Sequence, residues 1–120
     1  MTTISGEIKK TDTKDDVPKS LEPGKYNYKL EAGGGGNLRF KVEAHILPLI
    51  GETGNYHEQQ MTLEERSRIT TDSMLQGSFV VPRQQLSSSK WAEKTEVHFI
   101  MSRGILTKGS TWKLTYNRAS

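Results

Sequence analysis

The chain has 120 residues, 17 basic against 14 acidic, a formal net charge of +3 and no cysteine. That length fits one compact domain. The missing cysteines exclude a disulfide framework, a thiolate zinc site and a catalytic thiol. No apolar run is long enough to cross a bilayer as a helix.

The opening MTTISGEIKK lacks the apolar stretch of a signal peptide, so the expected location is the cytoplasm or a virion. Leu, Ile, Val and Phe total only 25 residues. Ordering each residue costs about 1–2 kcal/mol, so a core this thin points to self-association as part of the chain's stability.

Residues 1–22 are polar, mix Lys9, Lys10 and Lys14 with Asp12, Asp15 and Asp16, and carry few apolar side chains. They are expected to form a flexible N-terminal arm that adds at most a short strand near Ile4–Ile8. Residues 23–120 then make a single β-rich domain. Lys25–Leu30 and Leu38–Ala44 alternate apolar and polar side chains, the two-residue period of half-buried strands. With Gly33–Gly36 and Asn37 between them they predict a hairpin. Tyr26, Tyr28, Leu30, Leu38, Phe40 and Val42 face the core. Lys25, Lys29, Arg39 and Lys41 face out.

Pro48 stops the apolar run 45–51 as a central strand, and Gly51–Tyr56 forms a loop. Thr62-Leu63-Glu64-Glu65 has the form of a capping box and predicts a short helix over 62–73. The β-branched Ile69-Thr70-Thr71 argue for a strand there instead. Ser78–Val81 is a strand ended by Pro82, and 83–92 is an exposed loop anchored to the core by Trp91. Thr95–Met101 and Thr111–Asn117 are the closing strands. Val97, Phe99 and Met101 point inward in the first of these, and Trp112, Leu114 and Tyr116 in the second. The sum is a mainly β fold: an antiparallel β-sandwich or open barrel of about six or seven short strands with at most one short helix.

Chemistry is sparse. The glycines at 33–36 precede a strand and no Gly-Lys-Ser/Thr follows, so they make a loop tip rather than a phosphate cradle. No serine sits in a nucleophile elbow, and the adjacent pairs Asp15-Asp16 and Glu64-Glu65 do not face each other. Glu43 and His45 share an outward face, as do Glu96 and His98. If those strands were neighbours, the two pairs would meet beside Lys41 in an arrangement suited to metal binding or phosphodiester cleavage. Sequence alone gives no such adjacency, so no catalytic residue, metal site or cofactor is assigned and the chain is read as non-enzymatic.

Charge is more informative. Residues 61–120 hold nine basic and five acidic side chains, and from Val97 onward there are four basic residues and no acid. Lys25, Lys29, Arg39, Lys41, Arg103, Lys108, Lys113 and Arg118 are expected to form one positive sheet face for nucleic acid or an anionic membrane surface. The run Leu75-Gln76-Gly77-Ser78-Phe79-Val80-Val81-Pro82, followed by a basic β-rich C-terminus, resembles β-domains of small viral structural proteins. That resemblance implies a structural role and carries no site residue. The expected function is a self-associating structural or assembly protein, such as a small viral coat, matrix or accessory protein, that forms a homo-oligomer. The alternative is a monomeric β-sandwich module that binds a carbohydrate or a protein.

Overall fold

A computed structural model describes residues 1–9, 12–34, 38–46, 59–68, 74–87, 90–103 and 110–119. In chain order its strands are β1 Thr2–Ile8, β2 Lys14–Leu21, β3 Gly24–Gly34, β4 Leu38–Ile46, β5 Gln59–Arg68 and β6 Met74–Val81. They continue with β7 Gln85–Ser87, β8 Lys90–Trp91, β9 Thr95–Arg103 and β10 Ser110–Arg118. Eight of them form two four-stranded antiparallel sheets, in the orders β1-β10-β3-β6 and β2-β9-β4-β5, while β7 and β8 make a short ribbon. The described residues contain no helix long and apolar enough to cross a membrane.

The two-residue alternation decides which side of each strand is dry. Tyr26, Tyr28 and Leu30 on β3, Phe79 and Val81 on β6, and Trp112, Leu114 and Tyr116 on β10 line the inside of the first sheet. Leu38, Phe40 and Val42 on β4 and Val97, Phe99 and Met101 on β9 line the inside of the second. The aromatic rings join the layers. Tyr28 meets Phe40 with centroids 4.8 Å apart, and Phe99 meets Tyr116 at 4.9 Å. Such packed aromatic pairs add about 0.5–1.5 kcal/mol each beyond the area they bury. Every side chain that alternation assigned to the core is buried.

Four expectations are corrected. In place of the flexible arm expected over 1–22, the described residues there form two strands of the sandwich. β1 pairs with β10 from Thr2↔Tyr116 to Ile8↔Ser110, and β2 pairs with β9 from Lys14↔Ser102 to Leu21↔Thr95. Ile8 is fully buried and Leu21 nearly so, and the strands satisfy backbone groups that β9 and β10 would otherwise leave unpaired.

The helix expected over 62–73 is a strand through Arg68, and residues 69–73 lie outside the described residues. β5 pairs along β4 with a one-residue bulge between Val42 and Glu43. A capping side chain is worth about 1 kcal/mol, less than a whole ladder plus the packing of Leu63 against the core.

The hairpin expected from 25–30 and 38–44 does not form either. β3 pairs with β10 and β6, while β4 pairs with β9 and β5. Their apolar faces oppose each other across the core instead of lying side by side. Finally, part of the 83–92 loop is the β7–β8 ribbon, and Trp91 does not anchor it. The indole is 44% exposed, with the Arg83 guanidinium 4.5 Å from the ring centroid.

Candidate interaction faces and a histidine cluster

Consecutive strands change between the two four-stranded sheets from β1 to β2, β2 to β3, β3 to β4, β5 to β6 and β9 to β10. This divides the predicted basic residues. Lys25 and Lys29 on β3 and Lys113 on β10 stand on the outer face of the first sheet, all exposed. Arg39 and Lys41 on β4 stand on the outer face of the second sheet. Because the sheets pack face to face, these two outer surfaces point away from each other. Arg118 lies at the end of β10, its Nη1 3.2 Å from Glu22 Oε2. Arg103 ends β9, opposite Leu38, and only its backbone position is described. Lys108 lies outside the described residues.

The single positive face expected from sequence is therefore corrected. Period two tells outside from inside, but not which of two outsides. Acids also intervene: Lys29 Nζ is 3.1 Å from Glu31 Oε1, and Lys113 pairs in register with the same Glu31.

The structure does bring the histidines together. β4 and β9 are neighbours, and their register sets Glu43 opposite His98 and His45 opposite Glu96. His98 is the centre. Its Nδ1 is 2.7 Å from Asp16 Oδ1 on the neighbouring β2, and its Nε2 is 3.0 Å from Glu96 Oε1. Both nitrogens face carboxylates, which favours the imidazolium donating in both directions. Burial pulls the His98 pKa down, but hydrogen bonds and charge from Asp16 and Glu96 outweigh it, leaving the pKa above the ordinary value. The His45 ring stacks on His98 with centroids 3.9 Å apart. Beside them Lys41 Nζ is 2.8 Å from Glu43 Oε1, and that contact raises the lysine pKa.

This geometry bears on the chemistry weighed from sequence. A two-histidine acid–base pair needs an available nitrogen on either side of a substrate phosphate. Here the rings stack, and both nitrogens of His98 are engaged. No three imidazole or carboxylate groups among the described residues converge on a point that would hold a metal ion as the side chains stand.

Sequence reasoning missed Asp15 and Asp16 because it placed them in an arm. They carry the links from β2: Asp16 to His98 on the outside, and Asp15 Oδ2 accepting from Trp112 Nε1 at 3.0 Å between the layers. The signal was the shared parity of Val17 and Leu21, which makes Asp15 and Asp16 point to opposite sides. The third histidine, His57, and Tyr56 lie outside the described residues.

No protein-family model matches the chain, and no curated protein matches its sequence. Several solved structures are similar to the chain. The structure of infectious bursal disease virus, Gt strain, superposes with a TM-score of 0.52 at 8% identity, covering 96% of this chain and 29% of that one. The pre-peptidase C-terminal domain of a Bacillus anthracis collagenase gives 0.48 at 13% identity, covering 97% and 88%. A family 16 carbohydrate-binding module gives 0.47 at 12% identity, covering 93% and 74%. The chain spans less than a third of the viral chain, and at 8% identity that likeness is one of fold: two antiparallel sheets packed as a sandwich.

Proposed function

We propose that this protein is a non-enzymatic structural β-sandwich that assembles with copies of itself by extending its first sheet. The observation that carries this reading is the contrast between sheet edges. The second sheet is guarded at both sides. β2 contains Lys14, Asp15, Asp16, Pro18 and Lys19, and β5 contains Glu64, Glu65, Arg66 and Arg68 and itself carries the bulge, at Leu63. Charge, proline and bulges are the devices that keep edges from pairing with other chains.

The first sheet has almost none of these. β6 is MLQGSFVV, eight residues without a charge, and no strand pairs with its outer side among the described residues. Met74 and Val80 on it are 42% and 59% exposed. β1, at the opposite edge, carries Glu7 as its single charge. An added strand would take the free backbone groups of β6 and cover Val80.

Light scattering on the eluting protein tests this. The wild-type mass is expected to rise with concentration, and the double variant Gln76→Lys/Val80→Lys to stay monomeric. A wild type that remains monomeric, or a variant that assembles unchanged, overturns the proposal.

Contact with nucleic acid or an anionic membrane belongs to the same reading, through Lys25, Lys29 and Lys113 on the outer face of the first sheet. A second reading, a monomeric module for a carbohydrate, draws on one observation: the half-exposed Trp91, an aromatic surface beside Arg83 on which a sugar ring could stack.

A further inference from the structure

The two exposed apolar side chains of β6 are placed symmetrically on it. Met74 and Val80 are 42% and 59% exposed, and Gly77 lies midway between them in MLQGSFVV. Both share the outer face of the first sheet with Gln76 and Ser78, while Leu75 packs against the core and Phe79 and Val81 are buried in it. Single apolar residues are ordinary on a surface. Two on an edge strand, equidistant from a glycine and with no charge between them, form a pattern that matches its own copy.

We propose that β6 pairs antiparallel with β6 of a second copy, about a twofold axis through Gly77 along the sheet normal, closing a dimer whose two first sheets become one. The pairing rests on the edge-assembly reading above and specifies its partner strand, symmetry and register. Register follows from parity. Opposed residues must point to the same side of the joined sheet, so the axis passes through a residue and not between two. With Gly77 on the axis, Met74 of each copy lies opposite Val80 of the other, Gln76 opposite Ser78 and, on the inner face, Leu75 opposite Phe79. Cross-strand pairs of this kind are what stabilise a sheet. Moving the axis to Ser78 sets Val80 opposite Gln76, and moving it to Gln76 sets Met74 opposite Ser78.

Charge selects the same register. β3 places Lys25 beside Val80, Lys29 beside Gln76 and Glu31 beside Met74, all exposed. With Gly77 on the axis, each outer row runs Lys25, Val80, Met74, Glu31 across the two copies, with opposite charges at its ends. With Ser78 on the axis, Lys29 shares its row with Lys25 of the other copy, and with Gln76 on the axis it shares its row with the other Lys29. The row ends lie about 14 Å apart. At that distance the charges orient the approach and the apolar row holds the copies together. The opposite sheet edge is the poorer partner. β1 turns Thr3, Ser5 and Glu7 outward, which gives Met74 and Val80 nothing apolar to meet, and a β6-to-β1 contact grows open instead of closing.

The chain has no cysteine, so single-cysteine variants read the register. Met74→Cys and Val80→Cys, mixed and gently oxidised, are expected to yield a disulfide-linked heterodimer, because opposed Cα atoms lie about 4.5–5.5 Å apart. Either variant alone is expected to give none, since its two cysteines would stand about 20 Å apart along the strands. Both positions are exposed, and thermal unfolding of the reduced variants confirms that they fold. Light scattering of the wild type is expected to rise with concentration and level at the mass of two copies. Association that grows past two copies, no link in the mixture, or equal linkage in either variant alone overturns the β6 pairing and leaves edge assembly standing. A wild type that is monomeric at every concentration overturns both.

Discussion

Two aromatic rings rest on glycines of the neighbouring strand, and each glycine is there for space. Trp112 pairs with Gly6, and a Cβ on that glycine would stand 2.7 Å from Trp112 Cζ2 and 2.7 Å from Asp15 Oδ2. Tyr28 pairs with Gly77, where a Cβ would stand 2.7 Å from the tyrosine hydroxyl oxygen and 2.8 Å from ring carbons. Neither ring has room to retreat. Trp112 is tied to Asp15 through its indole N–H, and Tyr28 is packed on Phe40 and Phe79. Gly6→Ala and Gly77→Ala are each expected to cost about 1–3 kcal/mol as overpacked sites. Ser78→Ala on the outer face is expected to stay within about 0.5 kcal/mol. Urea unfolding measures all three, and equal stability of Gly77→Ala and Ser78→Ala would contradict the close approach.

Among the elements, the long alternating strands were the legible ones. β3, β9 and β10 place large apolar residues at every second position, so burial and pattern agree. β1 and β2 were harder to read because their inward positions include Gly6, Asp15 and Lys19, which dilute the alternation to Ile4, Ile8, Val17 and Leu21. β5 offered a local helix-start signal that a tertiary ladder overrode. The pairing of β1 makes its removal informative. Deleting residues 1–9 takes away the fully buried Ile8 and leaves one side of β10 unpaired. The loss is expected to reach about 3 kcal/mol or more, on the scale of removing a buried isoleucine side chain. Thermal unfolding reads this as a lower midpoint, whereas a dispensable arm would leave the midpoint in place.

Taken as a whole molecule, the sandwich limits how many cations a single polyanion can meet. Lys25, Lys29 and Lys113 share one outer surface, Arg39 and Lys41 the opposite one, and Arg118 sits with Glu22. Three phosphate contacts on duplex DNA correspond to a slope of about −3 in the logarithm of affinity against the logarithm of salt. Binding of a short DNA duplex is therefore expected to be weak, with a slope no steeper than this, and Lys113→Glu should flatten it by about one unit. A slope near −7, as all eight predicted residues acting together would give, contradicts the division of charge between two faces.

From sequence alone came the β class, the inward face of each well-patterned strand, and the Glu-x-His pairs as residues to watch. These are local properties: a period of two fixes which side of a strand is apolar regardless of its neighbours. Tertiary structure alone decided that β3 and β4 face each other across the core, that the lysines divide between two outer surfaces, and that His45 meets His98. Membership in a sheet depends on pairing between distant segments, as when Thr2 finds Tyr116 or Glu43 finds His98. A strand whose apolar side is satisfied equally well beside a neighbour or opposite it carries no local signal that distinguishes the two, so only the packing of the whole chain settles the choice.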